Sequence, residues 1–398
     1  MMRVLSISSS RADVGILAPV WQSLAADPSV ELHVLLTGMH VPDDSAARAA
    51  LPGKVIVHTG GADMGGDTAA AAGAAMAAIL AAASRVCAAI APDVMVVIGD
   101  RLDMIPAALA ALPFNLPLVH LHGGEHSQGA VDDRVRHALT KLSHVHCVAT
   151  VEAAERLCRM GEEPWRIHVT GAPGLDTLLN APPLSAEEIR ADLGLPVLEG
   201  LRLVTVHPET NSDHPAAPLD AVLAALEARP GPTVLTAPNS DPGGAAFRRR
   251  IEAFAAKHAW AAFRDTLGTK LYANVMRHAA VMAGNSSSGI IEAGCFGLRV
   301  INVGRRQDGR ARGPNVHDCP NDAGEVGRLL EKLATRASGL PSQSPYGDGR
   351  SGPRIAHILT HLPDRQRLLY KIFNEKDATF TAPWLAADGP VIAQVVRR

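Results

Sequence analysis

The chain of 398 residues is too long for one ordinary hydrophobic core and suits two domains of about 150–200 residues each. Its hydrophobic content of 47% is enough to bury both, and its formal net charge of −2 gives no reason to expect nucleic acid or an acidic membrane as a partner. Five widely spaced cysteines without a CxxC pair indicate reduced packing residues in a cytoplasmic protein, and argue against a disulfide framework or a zinc site.

In the first half of the chain, short apolar runs alternate with helical patterns, and the N-terminus has no apolar run of signal-peptide length. The predicted elements, in chain order, are strand 4–7, helix 15–26, strand 30–36, helix 69–90, strands 94–98 and 118–121, helix 131–142, strand 145–149, helix 152–160 and strand 167–170. We expect the Ala-rich stretch 69–83 to be a buried helix, because its run is short and weakly apolar for a membrane span.

A break with two prolines at 180–185 precedes a second series of the same kind. Its predicted elements are helix 186–193, strand 203–206, helix 217–228, strand 233–236, helix 244–258, strand 280–282, helix 289–295 and strand 300–303. Strands that alternate with helices predict parallel sheets with helices on both faces, so the expected fold class is α/β with two doubly wound units. Such units bind their ligand in the cleft at the carboxyl ends of the strands.

Two polar loops each follow a predicted strand and precede a predicted helix, where free backbone N–H groups attract anions. In the first, SSSRAD at 8–13, Arg11 could hold a phosphate, but a plain turn with Asp13 as N-cap is an equal interpretation. The second, GNSSSG at 284–289, offers three hydroxyls, and Glu292 follows where a carboxylate can accept from both ribose hydroxyls. A plain N-cap accounts for one serine only, so the second loop favours nucleotide binding.

Four polar groups follow neighbouring strands of the first unit, and they are GDR at 99–101, HLHGGE at 120–125, DD at 132–133 and RH at 136–137. Singly, Asp100 could be a turn acid, His122 a hydrogen-bonded histidine and Asp132 an N-cap. Their convergence on one rim of the sheet favours catalysis. His207 ends the first strand of the second unit and is therefore expected to face the same cleft.

Several signals of other chemistries are missing from the sequence. No GxGxxG follows the first strand, so a bound NAD(P) is not supported, and no P-loop, HExxH or GxSxG occurs. The histidine pairs 120/122 and 144/146 alternate along strands without a convincing acidic cluster beside them. We therefore expect neither a metal nor a cofactor.

With these motifs in order, the chain resembles the UDP-N-acetylglucosamine 2-epimerase family, and its hydrolysing branch in particular. The matching stretches run in order up to about residue 355, and they include SSSRADVGILAPV at 8–20, GDRLDM at 99–104, HLHGGEHSQGAVDDRVRHALTKLSH at 120–144, HPET at 207–210, PNSDPGG at 238–244, GNSSSGIIEAG at 284–294, INVGRRQDGR at 301–310 and YGDGRSGPRI at 346–355.

The resemblance implies a glycosyltransferase-B-like fold with two Rossmann-like domains, 1–178 and 179–363, and a segment 364–398 that returns to the first. It implies a homodimer or homotetramer. The residues implied to bind the nucleotide or substrate are Arg11, Asp13, Arg101, Asn239, Asn285, Ser286, Ser287, Glu292 and Arg306. The residues implied for catalysis and the sugar pocket are Asp100, Asp132, His207, Arg136, Glu125 and His122.

Two departures from the family pattern concern the cleft. Non-hydrolysing relatives carry a catalytic glutamate in a pattern like H-x-E-x-G, where this chain has His122, so either His122 or Glu125 would take that acid/base role. Val14 and Leu102 stand where relatives usually have aromatic residues. Both changes could signal a modified substrate.

The activity implied by the resemblance is conversion of UDP-N-acetylglucosamine and water to N-acetylmannosamine and UDP, through anti elimination to 2-acetamidoglucal and hydration, for biosynthesis of sialic-acid-type sugars. A first alternative is the same reaction on UDP- or GDP-2,4-diacetamido-2,4,6-trideoxyglucose, on the path to legionaminic acid. Further alternatives are a non-hydrolysing epimerase, a glycosyltransferase of the same fold, and a nucleotide-sugar sensor without turnover.

Overall fold

The computed structural model describes residues 1–41, 44–62, 68–126, 131–209, 212–238, 244–333 and 344–374, with only the backbone of Arg11, Ala46 and Val131. Within these ranges the chain forms two parallel sheets, each covered by helices. The predicted α/β fold class with two doubly wound units is confirmed.

The first sheet has seven strands, which are β1 (Met2–Ser8), β2 (Val30–Leu36), β3 (Ile56–Thr59), β4 (Val94–Ile98), β5 (Leu118–Leu121), β6 (Val145–Val148) and β7 (Ile167–Val169). The helices of this part are α1 (Arg11–Ala26), α2 (Ser45–Ala49), α3 (Ala69–Ile90), α4 (Met104–Leu109), α5 (Val131–Leu142), α6 (Val151–Arg159) and α7 (Gly174–Leu179). The strand order is β3-β2-β1-β4-β5-β6-β7. The order therefore reverses between β1 and β4, where sheets of this type open a binding crevice.

The second sheet has six strands, which are β8 (Arg202–Thr205), β9 (Thr233–Thr236), β10 (Ala261–Arg264), β11 (Val281–Gly284), β12 (Arg299–Val303) and β13 (Val316–Cys319). The remaining helices are α8 (Ala186–Leu193), α9 (Ala217–Ala228), α10 (Gly244–Lys257), α11 (Gly268–His278), α12 (Ser287–Ile291), α13 (Ala323–Leu333), α14 (Ser351–Thr360) and α15 (Arg365–Leu369). The strand order β10-β9-β8-β11-β12-β13 repeats the reversal, here between β8 and β11.

The central strands are buried on both faces, as their continuous apolar runs require. All five residues of β4 are buried, whereas the edge strands β3, β10 and β13 are partly exposed. The sequence did not predict these three strands, whereas it did predict the fourth edge strand, β7. An edge strand carries a weaker apolar signal because solvent reaches it.

The two units meet in a small apolar cluster that is separate from the two main cores. In it, Ala172 before α7 and Leu175 of α7 pack with Ile290 of α12 and Tyr346. After this junction the chain returns to the first sheet, because Ile355 of α14 belongs to the core of that sheet. The division into domains at residues 178 and 363 stays a prediction.

Helix α3 corrects one expectation. It runs for 22 residues and, by length and composition, is the helix among the described residues that could cross a membrane. Only one face is buried, including Ile79, Ala83 and Cys87 within the core of the first sheet. The helix has the predicted bounds, 69–90, but it is less buried than expected, because it packs only one face on the core.

Candidate active site

The loop after β1 is shaped by its own side chains. Ser10 is the N-cap of α1, and the carboxylate of Asp13 accepts hydrogen bonds from the backbone N–H groups of Ser9 and Ser10, at 2.8 and 2.9 Å. This is a capping box in which Ser10, not Asp13, is the N-cap. Because the Asp13 carboxylate is buried and occupied by the loop, the geometry favours a positioning role over its predicted nucleotide contact. The predicted phosphate contact of Arg11 stays a prediction.

Asp103 links this loop to the end of β4, although the sequence analysis did not single it out. It accepts from Ser9 Oγ at 3.0 Å and forms a two-pronged contact with Arg101, at 2.8 and 3.2 Å. Burial disfavours the Arg101 charge, but the hydrogen bond and charge of Asp103 raise the pKa of Arg101, with smaller contributions from Asp13 and Asp132. Arg101 is thus a fixed cation at the carboxyl edge of the first sheet.

A buried Ser–His–Asp arrangement ties the loops after β1 and β2 together. Ser8 Oγ lies 3.0 Å from His40 Nε2, and His40 Nδ1 lies 3.1 Å from Asp44 Oδ2. The same three residue types serve as a nucleophilic triad in hydrolases. Here none of the three is more than 5% exposed, and the serine hydroxyl and both histidine nitrogens are taken up by contacts within the arrangement, so it has a structural role.

The predicted acidic rim lies where β4 and β5 end. Asp100 forms an ion pair with Arg136 of α5, and Arg136 also lies 3.6 Å from Asp133. Burial, and then the charges of Arg310 and Arg156, lower the pKa of Arg136 to about 10. Asp132 is exposed in the first turn of α5. The structure brings Asp100 and Arg136 into contact, while Asp132 is near enough to Arg101 for its charge to raise the pKa of that residue.

His122 and Glu125 form a pair in the loop after β5. The distance from His122 Nδ1 to Glu125 Oε1 is 2.7 Å. The His122 backbone has φ +60°, in the left-handed region that residues other than glycine rarely adopt. Burial opposes ionisation of Glu125, but the hydrogen bond from His122, with the charges of Arg310 and Arg156, holds its pKa below the ordinary value.

Arg310 joins the two units electrostatically. It lies in the loop after β12, in the second unit, yet its charge lowers the pKa of both Glu125 and Arg136 in the first. The sequence analysis quoted Arg310 only within a matching stretch and gave it no role. No local pattern could have done so, because the contact depends on how the two sheets face each other.

Asn285 clamps two loops of the second sheet. Its side-chain oxygen accepts from His207 N at 2.7 Å, and its side-chain nitrogen donates to His207 O at 2.9 Å. Since Asn285 is fully buried and both amide atoms are used, the geometry favours a positioning role over the predicted nucleotide contact. The clamp holds His207 at the carboxyl edge, where it was predicted.

Glu209 holds the loop that carries the predicted arginine Arg306. Its Oε1 accepts from the backbone N–H groups of Arg305 and Arg306, at 2.6 and 3.1 Å. The Arg306 guanidinium in turn donates to Asn285 O at 3.4 Å. Glu209 was present in the HPET motif but was not assigned, because its partner lies about one hundred residues away in the chain.

A cavity of about 410 Å³ lies at the carboxyl ends of β8, β9, β10 and β11. Its lining includes His207, Ser286, Ser288, Tyr272 and Glu292. Ser288 donates to Glu292, and burial raises the pKa of the Glu292 carboxyl above its ordinary value. Two of the three hydroxyl groups predicted from the GNSSSG loop line this cavity together with Glu292, whereas the predicted contact Ser287 is not part of the lining. Helix α12 has only five residues, so its dipole is a smaller part of any anion attraction than expected.

Three further observations limit which residues and cavities can belong to the site. The predicted contact Asn239 lies outside the described residues. A second cavity, of about 590 Å³, lies between residues 169–171 and 312–314, but the two arginines in its lining, Arg312 and Arg354, are each paired with an aspartate. Among the residues that the structure describes, no cluster of three His, Cys, Asp or Glu side chains could hold a metal ion.

Comparison with known protein families gives a match over most of the chain. The model of the UDP-N-acetylglucosamine 2-epimerase family matches residues 22–360. The UDP-N,N'-diacetylbacillosamine 2-epimerase (hydrolyzing) of Legionella pneumophila is 32% identical over 378 residues, which cover 93% of this chain and 98% of the relative. The UDP-N-acetylglucosamine 2-epimerase of Neisseria meningitidis is 33% identical over 326 residues, covering 79% and 83%.

Solved structures give the same fold at lower identity. A UDP-GlcNAc 2-epimerase from Neisseria meningitidis, bound to UDP-GlcNAc, matches with a TM-score of 0.73 and 16% identity, covering 90% of this chain and all of that one. A Methanocaldococcus jannaschii UDP-GlcNAc 2-epimerase in complex with UDP-GlcNAc and UDP matches with a TM-score of 0.70 and 19% identity, again over 90% and 100%. At these identities the likeness establishes the fold.

Proposed function

Because the chain belongs to the UDP-N-acetylglucosamine 2-epimerase family, we propose that it hydrolyses a UDP-linked 2-acetamido sugar and inverts the configuration at C2. The observation that carries the proposal is the pairing of two surfaces at the carboxyl edges of the two sheets. One is the rim that includes Asp100, His122 and Glu125, and the other is the cavity that holds Glu292. A nucleotide in the cavity would present its sugar to the rim.

The reaction has two stages. In the first, a base takes the C2 proton, the C2–H electron pair forms the C1=C2 double bond, and the C1–O bond breaks with its electron pair on the departing UDP. In the second, the oxygen of water bonds to C1, a base takes a water proton, and an acid delivers a proton to C2 from the opposite face. We assign these proton transfers to side chains of the rim, with Asp100 and Asp132 as one acid/base pair.

Departure of UDP requires positive charge near the diphosphate, because negative charge develops on its oxygen. We assign this task to Arg101 and Arg306, because each is held by a carboxylate. Asp103 binds the Arg101 guanidinium, and Glu209 accepts from the Arg306 backbone N–H. Ser286 and Ser287 add hydroxyl and backbone donors at the start of α12. The cavity carboxylate Glu292 would accept from the ribose hydroxyls.

Two sugars are candidate substrates. The hydrolysing relative from Legionella matches almost end to end, and its name gives UDP-N,N'-diacetylbacillosamine, a 2,4-diacetamido sugar, as its substrate. We therefore place the 2,4-diacetamido sugar first and UDP-N-acetylglucosamine second, in a biosynthetic route to a sialic-acid-type sugar.

The test is to incubate the purified protein with each UDP-sugar in deuterated water and to follow proton and phosphorus NMR. Free UDP together with a C2-epimerised sugar that carries deuterium at C2 is the expected result, and the ratio of rates identifies the substrate. A deuterated epimer still linked to UDP would replace the proposal with a non-hydrolysing reaction.

A glycosyltransferase of the same fold makes a different prediction, because it would release UDP only when an acceptor is added. A control without acceptor therefore separates the two classes. If neither sugar turns over while UDP binding is intact, the proposed hydrolysis is wrong.

A further inference from the structure

The backbone of His122 lies in a region that few residues other than glycine adopt. Its φ is +60°, and Gly124, two residues later in the same loop, is left-handed as well (φ +77°). Strain of this kind persists where a side chain must be held at one place, and it concentrates in active sites. The strained residue lies at the carboxyl edge of β5, beside the rim that contains Asp100.

Glu125 orients the His122 ring. His122 Nδ1 lies 2.7 Å from Glu125 Oε1, so an ionised Glu125 accepts a hydrogen bond from Nδ1–H. In this tautomer Nε2 carries the lone pair and can accept a proton. Nε2 is buried and has no hydrogen-bond partner among the described residues. The positive charges of Arg156 and Arg310 favour the ionised form of Glu125, so the orientation is maintained.

The neighbouring His120 has the features of a structural histidine. Its Nε2 lies 2.9 Å from Gly99 O and its Nδ1 lies 3.3 Å from Thr140 Oγ1, so both ring nitrogens are used. Burial lowers the pKa of His120 to about 3, which keeps it neutral. Two residues further on, His122 has a free nitrogen, an acidic partner and a strained backbone.

We infer that His122 and Glu125 form a proton-transfer dyad, in which Glu125 positions the imidazole and His122 Nε2 removes the C2 proton of the sugar. The C2–H electron pair forms the C1=C2 bond, UDP leaves with the C1–O pair, and the imidazolium later returns its proton to solvent. This inference rests on the proposed function. The base of the elimination is then the His122 imidazole, which Glu125 orients through a hydrogen bond.

The first test is His122→Gly, which suits the left-handed backbone and so removes the side chain without disturbing the loop. We expect kcat for UDP release to fall by about 10²–10⁴-fold, and added imidazole to restore part of it by occupying the vacated space. Asn115→Gly is the matched control, because Asn115 is also left-handed (φ +46°) and lies just before the same strand, remote from the rim. It should keep full activity and show no response to imidazole.

The second test is Glu125→Gln, since glutamine keeps the size of the side chain but cannot hold the ring as an ionised acceptor. We expect kcat to fall with KM unchanged and a larger kinetic isotope effect with C2-deuterated substrate, because proton removal becomes limiting. Raised KM with an unchanged isotope effect in either variant would overturn the dyad, as would full activity of His122→Gly. Failure of the wild-type protein to release UDP from either sugar would contradict the proposed function instead.

Discussion

Two histidine–glutamate pairs lie near the neighbouring strands β5 and β6 of the first sheet, and they differ in their exposure and in their surroundings. His122 and Glu125 lie in a loop at the carboxyl edge, with their side chains 16% and 13% exposed. His146 lies within β6, 3.0 Å from Glu162, and both side chains are fully buried. Each histidine also keeps one ring nitrogen without a hydrogen-bond partner in the described part of the chain, so this feature alone does not mark a catalytic residue.

The surroundings of the two carboxylates separate their roles. Glu162 is surrounded by ammonium groups that bond it directly, from Lys141 and Lys371, each at 2.7 Å. Lys371 also donates to three backbone carbonyls at the end of α5, at 2.6 to 3.2 Å, so this cluster fastens the segment after α15 to the first sheet. Glu125 has no lysine bonded to it among the described residues, and its partner histidine is strained. The pair of His146 and Glu162 therefore stabilises the fold, whereas we propose a chemical role for the pair of His122 and Glu125.

The largest expected effect in this comparison is on the free energy of unfolding, when Glu162 is replaced. Glu162→Gln removes the charge that compensates two lysines and should lower the free energy of unfolding by about 3 kcal/mol, because breaking a buried ion pair leaves its partners uncompensated. Urea unfolding measures this. The kcat of the folded variant should equal that of the wild type, in contrast to Glu125→Gln. A loss of kcat without a loss of stability would contradict the structural role.

The same pair predicts a pH dependence of stability. Burial opposes ionisation of Glu162, but hydrogen bonds from His146, Lys141 and Lys371 lower its pKa from 4.5 to about 2. A lowered pKa contributes stability that is full above pH 4.5 and is lost as the pH falls towards about 2. The difference in Tm between the wild type and Glu162→Gln should therefore shrink across this window. A constant difference would show that the carboxylate charge is not the cause.

The smallest expected effect concerns the charge that reaches the dyad from the second unit. Arg310→Met removes a positive charge that lowers the pKa of Glu125, so that pKa should rise and the acidic limb of the kcat/KM profile should move to higher pH. Arg310→Lys keeps the charge and is the matched control. If the acidic limb lies at the same pH in both variants, the charge of Arg310 does not affect the pKa of Glu125.

The predicted secondary structure was accurate for the central strands and failed for three of the four edge strands. The bounds of β2, β4 and β5 coincide with the predicted runs, because most residues of these strands are apolar and buried. The edge strands β3, β10 and β13 were missed, since their exposed residues break the apolar run. Helix α1 begins at Arg11, four residues before its predicted start, because the polar capping box was interpreted as loop.

By itself, the sequence determined the α/β class, the two repeated units and the strand ends at which polar residues gather. These follow from local periodicity and from the rule that parallel strands end at one edge. Only the tertiary structure decided what each polar residue contacts. Asp13 and Asn285 hold loops, while Arg310 and Asp103 interact with residues that are distant in the chain. The partners of a side chain depend on how the loops and the two sheets are placed, and sequence periodicity carries no information about that placement.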